Sequence, residues 1–290
     1  MPYLYLTFAV TSIGLSSVIG GFFNKKNEGE KGASSLYSFL ISLAVFLFWA
    51  IVFCFDRTLN AKVIWFSLMF GAFFALYNIS YILAVKSGPI ALTGLFSQLS
   101  LIGATVWGFF FWGAKPNLLV IIGVVLVCVS IWLCLYKGKN KDGGEKFNFK
   151  WLIFAILAFA SNAGCAIVQK TEQIYFNGNY GNFFMFVATG FSAITCFVLW
   201  LRDDKKETLK VLKSSWYMPT FAGVFNGLLN FFVILMATTS LSPSLIYPVI
   251  GVGGLIILTL FSKFAFKEKL SWWQWLGVGL GAVAVAVLSI

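Results

Sequence analysis

The chain has 290 residues, of which 60% are hydrophobic, 19% aromatic and only 11% charged. Soluble domains carry about 25% charged residues because a water-facing surface needs them, so this composition excludes a water-soluble protein. The net charge of +11 does not indicate nucleic-acid binding, since the Lys and Arg residues lie in short loops between long uncharged runs. The chain has no His, and its five Cys residues lie in apolar segments without metal-ligand spacing. The sequence therefore predicts an integral protein of the lipid bilayer that binds no nucleic acid and needs no cofactor or metal.

Ten apolar segments, each free of charged residues, predict an all-α membrane protein with ten transmembrane helices. A spanning helix needs about 20 apolar residues, because every backbone amide must bond within the segment. The first segment lacks the basic start of a signal peptide and is predicted to be retained. The predicted spans are Tyr3–Phe23, Ser34–Phe55, Val63–Val85, Pro89–Ala114, Pro116–Tyr136, Trp151–Gln169, Phe183–Leu201, Trp216–Thr238, Pro243–Ser262 and Leu270–Ile290.

The loop charges predict the orientation of these spans. Seventeen of the 21 Lys and Arg residues lie in loops that follow odd-numbered spans, and positive loops favour the cytoplasmic side. Both termini are therefore expected outside. We expect a multi-pass protein of a bacterial plasma (inner) membrane.

The sequence repeats itself after five spans. Residues Tyr5–Val10 match Trp151–Ile156, and Pro89–Lys115 matches Pro243–Lys269. Residues 1–142 and 143–290 are thus predicted to be two copies of a five-helix unit that form one transmembrane domain. Because the number of spans in each copy is odd, the second copy must be inverted in the membrane. Inverted repeats around a central site are the geometry of alternating access.

The repeats, their short connections and the end of the ninth span together resemble a known family. The connections are Gly88-Pro89 and Ser242-Pro243. The segment Phe261–Ser271 after the ninth span contains Glu268, at the position where the first repeat has Ala114. This pattern resembles the drug/metabolite transporter superfamily, in its EamA-like ten-helix branch. The resemblance implies that spans one, three, four, six, eight and nine surround a substrate cavity. It also implies export of amino acids, drugs or other metabolites.

Polar side chains within the spans are candidates for binding the substrate, because each is costly in lipid without a partner or a wet cavity. Several share one face of a helix, such as Asn226 and Asn230, which are four residues apart. The alternative is that these amides only form hydrogen bonds between helices. The substrate-binding candidates are Asn78, Tyr81, Gln98, Asn162, Gln169, Asn226, Asn230 and Tyr247.

The ninth span contains candidate gating residues, Pro248 and Gly251. Pro248 lacks an amide proton and leaves the carbonyl of Ser244 without its helical partner. A bend at this point would suit a gate, although close helix packing is an equal alternative. In the tenth span, Gly277 and Gly281 form a small-xxx-small surface that packs either within the chain or in a homodimer.

All ten acidic residues are predicted to lie in loops or at helix ends, so no carboxylate is expected in the membrane. This favours a neutral site for zwitterionic or weakly polar small molecules in an uncoupled uniporter or exchanger. Proton coupling through Glu172 is the alternative. Rival functions are a nucleotide-sugar or phosphorylated-metabolite exchanger, a non-transporting scaffold and a membrane enzyme. The exchanger would use lysines such as Lys86, Lys170 and Lys263. We expect a transporter and not an enzyme.

Overall fold

The computed structural model describes residues 2–112, 118–135, 148–237, 243–267 and 270–288. Twelve helices account for nearly all of these residues. They are α1 (Pro2–Lys26), α2 (Ala33–Phe55), α3 (Val63–Ser87), α4 (Ile90–Leu99), α5 (Leu101–Phe111), α6 (Leu118–Leu135), α7 (Phe149–Phe176), α8 (Gly181–Trp200), α9 (Lys205–Ser215), α10 (Tyr217–Ala237), α11 (Pro243–Phe264) and α12 (Trp272–Leu288).

The helices support an integral membrane protein with several spans. Six of the described helices, namely α1, α2, α3, α7, α8 and α10, are long and apolar enough to cross a bilayer. The apolar helical stretches within α4, α6 and α11 are shorter. Large apolar side chains are exposed along the bundle, as on Trp65 and Phe110, which are 75% and 77% exposed. Such a surface suits lipid rather than water.

Two elements differ from the predicted spans. The segment predicted as one span over Pro89–Ala114 contains two helices, α4 and α5, which meet at Ser100. Helix α9 was not predicted, because its lysines and glutamate place it among the loop residues by hydropathy alone. Its apolar positions Val211 and Thr208 are nevertheless buried against the bundle.

Helix α7 is longer than the predicted span Trp151–Gln169, since it runs from Phe149 to Phe176. The prediction ended the span before Lys170 because charged residues usually lie beyond the apolar core. Glu172, which was placed at a helix end, lies inside α7 and its side chain is fully buried. Glu172 is therefore near the end of a helix but is buried in the bundle, where no acidic residue was expected.

The helices pair in a reciprocal pattern between the two halves of the chain. Helix α1 packs against α10 and α11, while α7 packs against α3, α4 and α5. Helix α2 packs against α8 and α10, and α8 packs against α2 and α3. Helices α6 and α12 pack against each other. The buried apolar core therefore lies mainly between helices from different halves. The predicted boundary between residues 142 and 143 lies outside the described residues.

Two glycines bring helices of the two halves into close contact. At Gly71 in α3, an added Cβ atom would overlap the backbone oxygen of Ala188 in α8. At Gly223 in α10, an added Cβ atom would lie 2.7 Å from the backbone oxygen of Ile41 in α2. Both contacts need a residue without a side chain, because the backbones themselves touch.

The stripe formed by Gly277 and Gly281 packs within the chain. The hydroxyl of Ser130 in α6 donates a hydrogen bond of 2.6 Å to the carbonyl of Gly277. A Cβ atom at Gly281 would lie 2.7 Å from Leu95. Of the two alternatives for this stripe, the structure shows packing against helices of the same chain. These two glycines are therefore not exposed for contact with a second copy.

The side chains at the C-terminal end of α1 form hydrogen bonds to several other segments at one end of the bundle. Asn24 donates through Nδ2 to the carbonyl of Val85, Lys25 through Nζ to that of Phe266, and Lys26 through Nζ to that of Ser214. Farther out, Lys210 forms an ion pair of 2.9 Å with Glu30, which raises the pKa of Lys210. These contacts join α1 to α3, α9 and the segment after α11 at the side of the odd-numbered loops.

Candidate functional site

A cavity of about 120 Å³ lies in the middle of the bundle. One ordered water needs about 10–15 Å³ of such space, so the cavity has room for several waters or a small metabolite. Helices α1, α2, α3, α4, α7, α10 and α11 contribute its wall. These include every helix that the family resemblance implied, together with α2. The lining residues are Ile13, Ser16, Ser17, Tyr37, Ile41, Phe70, Phe74, Tyr77, Asn78, Tyr81, Ser97, Gln98, Asn162, Cys165, Ala166, Gln169, Asn226, Leu229, Asn230, Val233 and Ile250.

The cavity brings together most of the polar residues that the sequence singled out. Seven of the eight substrate-binding candidates line it, although they come from four different helices, α3, α4, α7 and α10. The seven are Asn78, Tyr81, Gln98, Asn162, Gln169, Asn226 and Asn230.

The remaining candidates lie on α11. The side chains of Tyr247 and Pro248 lie outside the described residues, as does Glu268 beyond the end of the helix. Gly251 is buried within α11, and its neighbour Ile250 lines the cavity. Helix α11 is continuous from Pro243 to Phe264. Gating by Pro248 and Gly251 stays a prediction.

One part of the wall is a hydrogen-bond network around the junction of α4 and α5. Asn162 of α7 donates through Nδ2 to the carbonyl of Ser97 at 3.0 Å and to the hydroxyl of Ser100 at 2.7 Å. The hydroxyl groups of Tyr77 and Ser97 lie 2.8 Å apart. Because the helix is interrupted at Ser100, backbone and side-chain groups there need partners, and Asn162 supplies one. This amide therefore holds the wall together as well as lining it.

Asn78 of α3 has a similar packing role. Its Nδ2 donates to the hydroxyl of Ser42 at 3.2 Å, and that hydroxyl lies 3.2 Å from the hydroxyl of Ser192. This chain of contacts joins α3 to α2 and α8. The side chain of Asn78 is only 3% exposed, so most of its surface already touches protein.

A second group of amides has polar atoms that no other helix engages. Asn230 donates through Nδ2 to the backbone oxygen and to Oδ1 of Asn226, at 3.0 and 3.2 Å, so this pair bonds within α10. Across the cavity on α7, Nε2 of Gln169 is buried and has no hydrogen-bond partner. A buried amide without a partner costs about 1–3 kcal/mol, which a polar ligand would offset. Asn226, Asn230 and Gln169 are therefore the amides best suited to a ligand.

Sequence reasoning missed three polar positions of the wall and the burial of Glu172. Ser16 and Ser17 of α1 and Tyr37 of α2 line the cavity. Serine is common in transmembrane helices, so only the spacing of Ser12 and Ser16 on one face could have indicated them. Glu172 could have been found from the spacing of Asn162, Gln169 and Glu172, which follow one face of α7.

The charged candidates lie away from the cavity, since none of its lining residues is charged. Lys86 and Lys263 are exposed, and the ammonium of Lys263 lies over the ring of Trp275 at 5.4 Å from its centre. Lys170 is half-buried but does not line the cavity. These positions fit lysines that reach toward the membrane interface.

The apolar helices and the polar cavity that they enclose define a multi-pass membrane protein of a transporter type. Residues 149–290 match the sequence model of the EamA-like transporter family. Over these residues, the match confirms the resemblance seen in the sequence.

Comparison with solved structures supports the same fold over the whole chain. A crystal structure described only as that of a protein is 16% identical and superposes with a TM-score of 0.59. The alignment covers 99% of this chain and 98% of the other. At this identity the likeness concerns the fold alone. A search of curated proteins gave no significant match.

Proposed function

We propose that this protein is a secondary transporter that exports small organic metabolites, such as amino acids or amphipathic compounds, by alternating access around the central cavity. The observation that carries this proposal is the lining of the cavity, whose described residues include amides and aromatic rings and no charged side chain. Such a wall suits zwitterionic or weakly polar molecules, because it offers hydrogen bonds without a fixed charge. If these amides served only to pack the helices, the buried side-chain nitrogen of Gln169 would have no hydrogen-bond partner.

The reciprocal pairing of helices supports two inverted five-helix repeats over residues 1–142 and 143–290. If α1 corresponds to α7, α2 to α8 and α3 to α10, each contact between halves has a counterpart. The pair α1–α10 corresponds to α7–α3, and the pair α2–α10 corresponds to α8–α3. Related halves of this kind can exchange conformations around a site between them. The cavity lies between them, since both halves contribute to its wall.

Exchange of nucleotide sugars or phosphorylated metabolites is the alternative within transporters. A phosphate group is bound best by Arg or Lys at close range. The lining residues include neither, so the described wall favours a neutral or zwitterionic ligand. A scaffold that transports nothing would not need a polar cavity.

A thermal-shift screen of the purified protein in detergent tests the proposal. The panel contains the twenty standard amino acids, nucleobases, nucleotide sugars and cationic drugs. A ligand at 100 times its dissociation constant should stabilise the fold by about 2.7 kcal/mol. We expect a shift with a neutral or zwitterionic compound, and loss of that shift in Asn226→Ala and Asn230→Ala.

Thr220→Ala is the matched control, because Thr220 is on the same helix and its hydroxyl bonds to the carbonyl of Trp216. It should keep the ligand shift. Stabilisation by anions alone would contradict the proposed amide site and favour the exchanger.

A further inference from the structure

Glu172 is a buried acid in a helix that lines the cavity. Among the charged side chains that the structure describes, only that of Glu172 is buried, with 0% of its surface exposed. It lies four residues before the end of α7. Three residues earlier on the same helix face is Gln169, which lines the cavity. Glu172 therefore lies about one helical turn from a residue of the cavity wall.

The carboxyl of Glu172 has no partner. Neither of its oxygens accepts a hydrogen bond from any described residue. The amide nitrogen of Gln169, its polar neighbour on the same face, also has no partner. Two unsatisfied polar groups on successive turns are unusual in a buried position, because each costs free energy without a bond.

The helices around α7 provide no cation to neutralise this acid. Those packed against it are α3, α4 and α5. Their titratable or charged groups are Tyr77, Tyr81 and Lys86 on α3, with Lys62 just before that helix, and none forms an ion pair with Glu172. On α7 itself, the neighbouring groups are Lys150, Cys165, Lys170 and Tyr175.

An ionised carboxylate buried without a partner costs several kcal/mol. The cost falls when the carboxylate takes up a proton, because the buried group then carries no charge. Glu172 does not line the cavity, whereas Gln169 does. A proton needs no cavity of its own, so it fits this position better than the ammonium group of a ligand or a metal ion.

We propose that Glu172 carries a proton in this conformation and exchanges it with water during the transport cycle, so that transport is coupled to proton movement. The proton comes from water on one side and forms an O–H bond at a Glu172 oxygen. It returns to water on the other side when the carboxylate is hydrated. The proposal rests on the proposed transport function. It takes up the alternative of proton coupling in place of uncoupled transport, which assumed that no carboxylate is buried in the membrane.

Infrared spectroscopy of the full chain in lipid vesicles tests the proton directly and needs no substrate. We expect the C=O stretch of a proton-carrying carboxyl in the wild type and in Glu28→Gln, whose side chain is exposed in a loop. The band should be absent from Glu172→Gln and retained in Glu172→Asp. An unchanged band in Glu172→Gln, or no such band in the wild type, would overturn the proposal. Melting temperatures show whether each variant is folded.

A transport assay with the same vesicles distinguishes a role of Glu172 in proton coupling from a structural role. The probe is a mixture of the twenty standard amino acids, labelled and supplied on one side. A pH gradient should drive accumulation by the wild type and Glu28→Gln. Glu172→Gln should still exchange labelled for unlabelled amino acid, but the gradient should no longer drive its accumulation. Accumulation by Glu172→Gln that follows the gradient as in the wild type would refute the coupling. If the wild type moves no amino acid, the proposed substrate class is wrong, and the infrared band still decides whether Glu172 carries a proton.

Discussion

At the scale of single residues, five of the six amides that line the cavity divide into two groups. Asn78 and Asn162 donate to other helices, whereas Asn226 and Asn230 bond to each other and Gln169 keeps an unpartnered nitrogen. The sequence could predict which side chains are costly in a span, because that depends on residue type alone. It could not predict which amide finds a partner, since the partners Ser42, Ser97 and Ser100 come from other helices.

The packing role of Asn162 predicts a loss of stability on substitution. Asn162→Ala removes its hydrogen bonds to the Ser97 carbonyl and the Ser100 hydroxyl. Hydrogen bonds between transmembrane helices contribute about 0.6 kcal/mol on average and up to about 1.7 kcal/mol. We expect the free energy of unfolding to decrease by an amount near the upper end of this range, because two hydrogen bonds are lost. Reversible unfolding in mixed detergent measures it. A stability equal to that of the control Thr220→Ala would contradict this role.

At the scale of elements, the ends and breaks of helices were the least predictable features. Hydropathy ended the sixth span at Gln169, yet α7 continues to Phe176, and the surrounding bundle buries Glu172. The break at Ser100 and the packing of α9 likewise depend on contacts with distant residues. Apolar length and residue type carry no information about such contacts, whereas they located the apolar helices themselves well.

The close contacts of α3 with α8 and of α10 with α2 predict a strong effect of small substitutions. Gly71→Ala places a methyl group against the Ala188 backbone oxygen, and Gly223→Ala places one against that of Ile41. Overpacking of this kind costs about 1–3 kcal/mol, because the backbones must separate. A fall in thermal stability of both variants is the expected result.

Gly279→Ala is the matched control on α12, since nothing lies within 4 Å of an added Cβ atom there. Alanine is the better helix former, so this variant should be as stable as the wild type or more stable. Equal stability of all three variants would mean that the helices are not in close contact at Gly71 and Gly223.

At the scale of the whole molecule, the two halves are interleaved. Each half supplies helices that pack chiefly against the other, and the cavity wall takes residues from both. The matches between Tyr5–Val10 and Trp151–Ile156 predict two related halves, which stays a prediction. They could not predict the volume of the cavity, which depends on how the halves fit together.

The proposed orientation predicts which loops are accessible from outside the cell. Arg57 follows α2 and Glu28 follows α1, and both side chains are exposed. A cysteine at Arg57→Cys should react with a membrane-impermeant maleimide in intact cells. A cysteine at Glu28→Cys should react only after the membrane is permeabilised. The unsubstituted chain, whose Cys54 is exposed, gives the background. The reverse labelling pattern would invert the assigned orientation.

The most direct test of a transport site in this cavity is counterflow of labelled amino acids into vesicles that contain the purified protein and unlabelled amino acid. The account predicts uptake by the wild type and by Thr220→Ala, and a loss of at least about tenfold in Asn226→Ala and Asn230→Ala, which corresponds to about 1.4 kcal/mol of binding free energy. Uptake by both asparagine variants at the wild-type rate would contradict the account, because the substrate would then cross without using these amides.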